Sequence, residues 1–202
     1  MAAVIPAPCP HRPLSELDDD CLLRRFAEGR REALEELFRR YRVAAYRVAC
    51  RLLGNEADAL DAVQEGFVKA LTHLGGFQRR SSFKTWLLRV VSNAALDLGR
   101  QRGRREAVSL EAAEVRDADL SLLLVPDESA ARLDRAELRR LLDQALQILS
   151  EPQRQTFVLH AEAGLSYREV AEVMDISIGT VMSRLYYARQ KLRNYLGQRL
   201  SP

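Results

Sequence analysis

Six side chains near the C-terminus are of types that read and grip a polyanion. Thr180, Ser183, Arg184, Tyr186, Tyr187 and Arg189 fall on the outer side of a helix predicted to run from near Ile178 to about Leu196. Serine and threonine hydroxyls bond either base edges or phosphates, and an arginine can pair bidentately with guanine. Arg189 lies further along and reads as a phosphate anchor or a solvated charge. Val181 and Leu185 would bury the inner face, and Ser177 can cap the helix. Before it, Ser166 and Glu169 have the spacing of a capping box. Val170, Ala171, Val173 and Met174 make one apolar face, which Asp175-Ile176 breaks in a turn. Two helices with a tight turn form a helix-turn-helix, whose second helix would enter a DNA major groove. An ordinary helical hairpin in a core is the competing reading. The short polar turn and the long basic second helix argue against it.

A second constellation lies between Phe77 and Arg105. Arg79, Arg80, Lys84, Arg89, Arg100, Arg102, Arg104 and Arg105 make it strongly basic, and Phe77, Phe83 and Trp86 are interleaved. Basic groups neutralise phosphates, and aromatic walls can hold unstacked bases. Phe83 and Trp86 equally fit a purely structural core. Just before this stretch, Asp58, Asp61, Gln64 and Glu65 form an acidic stripe on a predicted helix. Such a stripe is ordinarily a solvated face and becomes a partner surface only with its neighbours. Enzymatic chemistry has little support. His73 and His160 lack partnered motifs, HAEAG at 160–164 is not HExxH, and no Gly-rich phosphate loop appears. Cys9, Cys21 and Cys50 are widely spaced, and Cys9 with His11 has no second ligand pair, so neither metal nor cofactor is expected.

The elements that must position these groups are helical throughout. The chain has 202 residues, 47% of them hydrophobic, with a net charge of +3. Apolar residues recur at helical spacing in predicted helices over 31–53, 58–74 and 83–102, and from 130 to 149. The second of these helices would turn Ala59, Val63, Phe67, Ala70, Leu71 and Leu74 inward. Residues 106–129 are acidic and contain Pro126. The expected fold is all-α: two small helical domains joined by an acidic flexible linker. The expected limits are a disordered tail over 1–13, a first domain over 14–105, a linker over 106–129 and a helix-turn-helix domain over 130–202. No apolar run has the length of a membrane span, and the first residues lack the pattern of a signal peptide. A cytoplasmic protein is expected.

Three blocks in order carry a resemblance. DALDAVQEGFVKAL (58–71), SFKTWLLRVVSNAALDLGRQRGRR (82–105) and LSYREVAEVMDISIGTVMSRLYYARQKLR (165–193) resemble the bacterial extracytoplasmic-function (ECF) sigma factors, which have only regions 2 and 4 of the sigma-70 family. The resemblance covers the chain from about Leu17. It implies binding to core RNA polymerase, recognition of −35 and −10 promoter elements, help in melting the promoter, and no catalysis. It places Asp58, Asp61, Gln64 and Glu65 on the polymerase and the 77–82 loop on the −10 element; there Arg79, Arg80, Lys84 and Arg89 are the expected anchors, with Phe77 and Ser81 lining the loop. Thr180, Ser183, Arg184, Tyr186, Tyr187 and Arg189 would read the −35 element. An anti-sigma factor is a further implied partner. The chain departs from the family pattern at Leu60, Ala62 and Gly66, and at Met182 and Tyr187, where many members carry basic residues. The alternative from another class is a stand-alone helix-turn-helix regulator with an N-terminal sensing domain.

Overall fold

A short run of carboxylates starts the first full helix. Asp18 accepts the Cys21 amide at 2.7 Å and caps α1 (Asp19–Ala27). That backbone hydrogen bond holds the Asp18 carboxyl below its ordinary range. Gly29, at φ 90, turns the chain into α2 (Arg31–Leu53). The computed structural model describes residues 12–77, 79–109 and 140–200. The chain forms two compact units, Met1–Val43 and Ala44–Pro202. In the first unit Leu17, Leu22, Leu23, Leu34 and Leu37 are buried. Arg40 ties this unit together by donating to the carbonyls of Leu14 and Ser15 at 2.8 and 3.0 Å and by pairing with Asp19 at 3.2 Å.

In the second unit, Asn55 caps α3 (Glu56–His73) by accepting the Asp58 amide at 2.8 Å. This helix packs on α4 (Phe83–Ser109). The face it turns inward is Ala59, Ala62, Gly66 and Ala70, all buried. A Cβ on Gly66 would stand 3.0 Å from the Val91 Cα, so the two backbones nearly touch there. This overturns part of the predicted inward face. Leu71 is 47% exposed, and Val63, Phe67 and Leu74 are only half-buried. Close crossing admits small residues alone and pushes larger ones to the flanks.

The fourth helix runs on to Ser109, past its expected end near Arg102. No proline stops it, and the residues after Gly103 are mostly good helix formers. Positions 106–109, expected as linker, are therefore helical. The rest of that linker, the tail over 1–11 and the expected helix start at 130 lie outside the described residues. Helix α5 is described over 140–147. Then come α6 (Glu151–Ala161), α7 (Tyr167–Met174) and α8 (Ile178–Leu200). Ser150 and Gln153 form a capping box at the start of α6. Val181, Leu185, Ala188 and Leu192 of α8 are buried, and this helix packs on both α6 and α7. No strand occurs among the described residues.

Candidate nucleic-acid interface

The helix-turn-helix is built as its sequence requires. Ser166 accepts the Glu169 amide at 3.3 Å, and Glu169 accepts the Ser166 amide at 2.9 Å, closing the capping box. Asp175 stops α7 in the left-handed region at φ 53. Aspartate tolerates that conformation better than most residues. Ser177 then accepts the Thr180 amide at 3.1 Å and starts α8. On the outer side Met182, Ser183, Tyr186, Tyr187 and Arg189 are exposed, while Thr180 and Arg184 are half-buried. Ser183 donates to the Thr180 carbonyl at 3.0 Å, which leaves its oxygen lone pairs for an outside donor.

The −10 candidates lie at the start of α4. Ser82 caps that helix, accepting the Thr85 amide at 3.1 Å. Arg79 and Arg80 are exposed in the loop before it, and Ser81 is half-buried. Arg79 sits at φ 54, a left-handed conformation that costs energy in a non-glycine residue. Phe77 meets Trp86 at 5.1 Å and Phe83 at 6.1 Å, so the three rings form one cluster. Phe83, 2% exposed, is core. Phe77 and Trp86 keep part of their surface open, and Trp86 borders a shallow cleft with Lys69, His73 and Asn93.

The acidic stripe divides. Asp61, Gln64 and Glu65 are exposed, Glu65 pairing with Lys69 at 2.6 Å. Asp58 is half-buried, accepts the Asn55 amide nitrogen at 2.5 Å and pairs with Arg102. It therefore serves the start of α3 as well as its surface. Beside the stripe lies a row that the sequence reading missed: Leu60, Val68 and Leu71 are exposed along the same helix. Its signal was available, since positions 60, 64, 68 and 71 share one helical face.

A second missed feature is a seam that joins α4 and the end of α2 to the C-terminal helices. Thr85 Oγ1 donates to Glu169 Oε1 at 3.0 Å, and Arg100 pairs with Glu151 at 2.6 Å. Arg51 pairs with both Asp143, at 2.5 Å, and Glu162, at 3.1 Å. Arg89, a −10 candidate, donates to the Glu172 carbonyl at 3.4 Å. The seam leaves a polar cleft of about 320 Å³ lined by Arg89, Asn93, Leu96, Arg100, Gln155 and Met174, among others. Glu169, which accepts first from the Ser166 amide and also from Thr85, is held below the ordinary glutamate range. Pairings this distant in sequence leave no local pattern. Both histidines meet a backbone carbonyl: His160 Nδ1 lies 2.8 Å from that of Leu165, and His73 Nδ1 lies 2.8 Å from that of Lys69. No cluster of metal-ligating side chains occurs among the described residues.

An acidic-and-apolar helix, a basic helix with an aromatic loop, and a helix-turn-helix define a promoter-binding protein of a particular kind. The family model for sigma-70 region 2 matches residues 37–105, and that for sigma-70 region 4 matches residues 139–192. The RNA polymerase sigma-H factor of Pseudomonas aeruginosa is 34% identical over 182 residues, covering 89% of this chain and 94% of that protein. The ECF RNA polymerase sigma-E factor of Haemophilus influenzae is 33% identical, covering 89% of this chain and 95% of that protein. Among solved structures, the sigma factor RpoE bound to the anti-sigma factor NepR, from Bartonella quintana, superposes with a TM-score of 0.64 at 25% identity, covering 81% of this chain and 96% of that one. CnrH, bound to the cytosolic domain of CnrY, gives a TM-score of 0.67 at 30% identity, covering 90% of this chain and 99% of that one. The chain belongs to the sigma-70 family, as an RNA polymerase sigma factor of the ECF type. A stand-alone regulator with a sensing domain is not favoured, because region 2 occupies the place that domain would need.

Proposed function

We propose that this sigma factor contacts core polymerase through the outer face of α3, handles the unpaired −10 strand through the 77–82 loop and the start of α4, and reads the −35 duplex with α8. It carries no catalysis of its own and works in the cytoplasm. No helix among the described residues is long and apolar enough to cross a membrane. The observation that supports this best is the division of labour along one chain: exposed carboxylates on α3, exposed arginines beside half-open aromatic rings, and an uncovered recognition helix. An anti-sigma factor is a natural inhibitor, since the similar RpoE is bound by one.

The test is transcription by core polymerase supplemented with the purified chain, from a promoter library with randomised −35 and −10 elements. Start sites should appear only with the chain present. Arg79→Ala with Arg80→Ala should reduce open complexes. It should also lower the slope of log affinity against log salt by about 0.7 per lost contact on single strands. An unchanged slope and unchanged melting would remove the loop from the −10 site.

Residues 14–105 and 130–202 act as separate modules in this reading, joined by the 106–129 linker. The −35 and −10 elements lie about 25 base pairs apart, or about 85 Å at 3.4 Å per step. A compact unit the length of Ala44–Pro202 has a radius of gyration of only about 15 Å. The seam between α4 and the C-terminal helices must therefore part when both elements are held. The residues between Ser109 and Arg140 can reach about 100 Å at 3.3 Å each. Dyes on the two modules should show high energy transfer in the free chain and almost none in the promoter complex. Equal transfer in both would exclude the separation.

A further inference from the structure

The outer surface of α8 divides lengthwise. One side carries Thr180, Ser183, Arg184 and Tyr187, whose polar groups suit base edges and phosphates. The other carries Ile178, Met182 and Tyr186 at i, i+4 and i+8, which are 47%, 55% and 64% exposed. This is an exposed apolar row alongside the polar side of the same helix. The Tyr186 ring meets Tyr187 nearly edge-on, 5.4 Å between centroids at 78°, which fixes where the two sides join. Gly179 lies between them, and a Cβ there would meet nothing closer than the Ser177 hydroxyl at 3.8 Å. The groove-facing turn is thus narrow and lets the helix approach closely.

A major groove offers one apolar group to such a row, the C5-methyl of thymine. Ile178 and Met182 are about 6 Å apart along the helix axis at 1.5 Å per residue. That is close to two base steps at 3.4 Å per step along one strand. Methionine is unbranched and polarisable, and adapts to a partner that is not perfectly in register. The exposed Arg189 continues this face seven residues beyond Met182, about 10 Å further along the axis and away from the turns that carry Ile178 and Met182.

We propose that Ile178 and Met182 are thymine readers: they select −35 duplexes that present thymine methyls about two steps apart on one strand, while Ser183 and Arg184 read the polar edges beside them. This rests on the assignment of α8 to the −35 element. It makes specificity on this side depend on methyl burial rather than on charge.

The test uses holoenzyme made with the full-length chain. It first selects its preferred −35 elements from a randomised duplex library. Those elements are then resynthesised with uracil in place of each thymine in turn, which removes the methyl and nothing else. Thymine should be enriched at two positions about two steps apart. Uracil at either should lower promoter occupancy about fourfold, the worth of one buried methyl. Holoenzyme carrying Met182→Gln should lose the distinction between thymine and uracil at one position and keep it at the other. Ile178→Gln should do the converse. Selected elements without thymine, indifference of the unaltered holoenzyme to every uracil, or full methyl sensitivity in both variants would each overturn the proposal. If the library shows no base preference at −35 at all, the assignment of α8 itself fails. A preference without methyl sensitivity leaves that assignment standing and removes only the thymine readers.

Discussion

Reversing Asp61 and Glu65 to arginine together is expected to weaken binding to core polymerase about a hundredfold while helix content and melting temperature hold. Both carboxylates are exposed on α3, so the substitutions leave the core intact. Exposed changes usually shift stability by about 0.5 kcal/mol or less. A like charge set against a partner's basic surface costs several kcal/mol, and 1.4 kcal/mol is a factor of ten. Asp58 is left out because it also serves the start of α3 and pairs with Arg102. Leu60, Val68 and Leu71 are exposed beside these carboxylates and are unaltered in the double variant, so any apolar contact they make to core should hold part of the affinity. Competition for core against the unaltered chain reads the effect directly. A folded double variant that competes equally well would place the polymerase contact elsewhere.

Replacing Gly66 with leucine should do the opposite, leaving the surface alone and spoiling the fold. The glycine sits where α3 crosses α4, and even a methyl would lie 2.9 Å from Val91 Cγ2 and 3.0 Å from its Cα. Backbone cannot step aside as a flexible side chain can. Overpacking of this kind costs about 1–3 kcal/mol and occasionally more. For a chain of this size, melting should fall by roughly 3 °C per kcal/mol. Gly66→Ala sets a helix-propensity gain of about 1 kcal/mol against the same contact and should be the milder change. A Gly66→Leu chain that melts with the unaltered protein would mean that the two helices do not cross this closely.

Most of the helices were legible because their signals are local. The Ser166–Glu169 capping box and the Ser177 cap are each set within four residues, and each forms as read. The periodicity that places Val181 and Leu185 inside α8 is equally local, and both are buried. The outer side of the recognition helix follows from the same repeat, so its candidate readers could be named before any coordinates.

Tertiary structure decided what periodicity could not. Hydrophobic size suggested that Leu71 faces inward, whereas the close crossing selects Ala59, Ala62, Gly66 and Ala70 and turns Leu71 outward. Gly66 read from sequence only as a departure from the family pattern, yet it is the residue that lets α3 and α4 meet. Phe83 and Trp86 looked equivalent, but only the first is fully buried. The seam joins Arg51 to Asp143 and Glu162, and Thr85 to Glu169, across more than eighty residues. The sequence by itself determined the helices, their caps and the outer face of α8, because each depends on neighbours within a turn or two. Which face each helix buries, how closely two backbones approach, and which distant charges pair depend on the packed partner. No single helix encodes that partner.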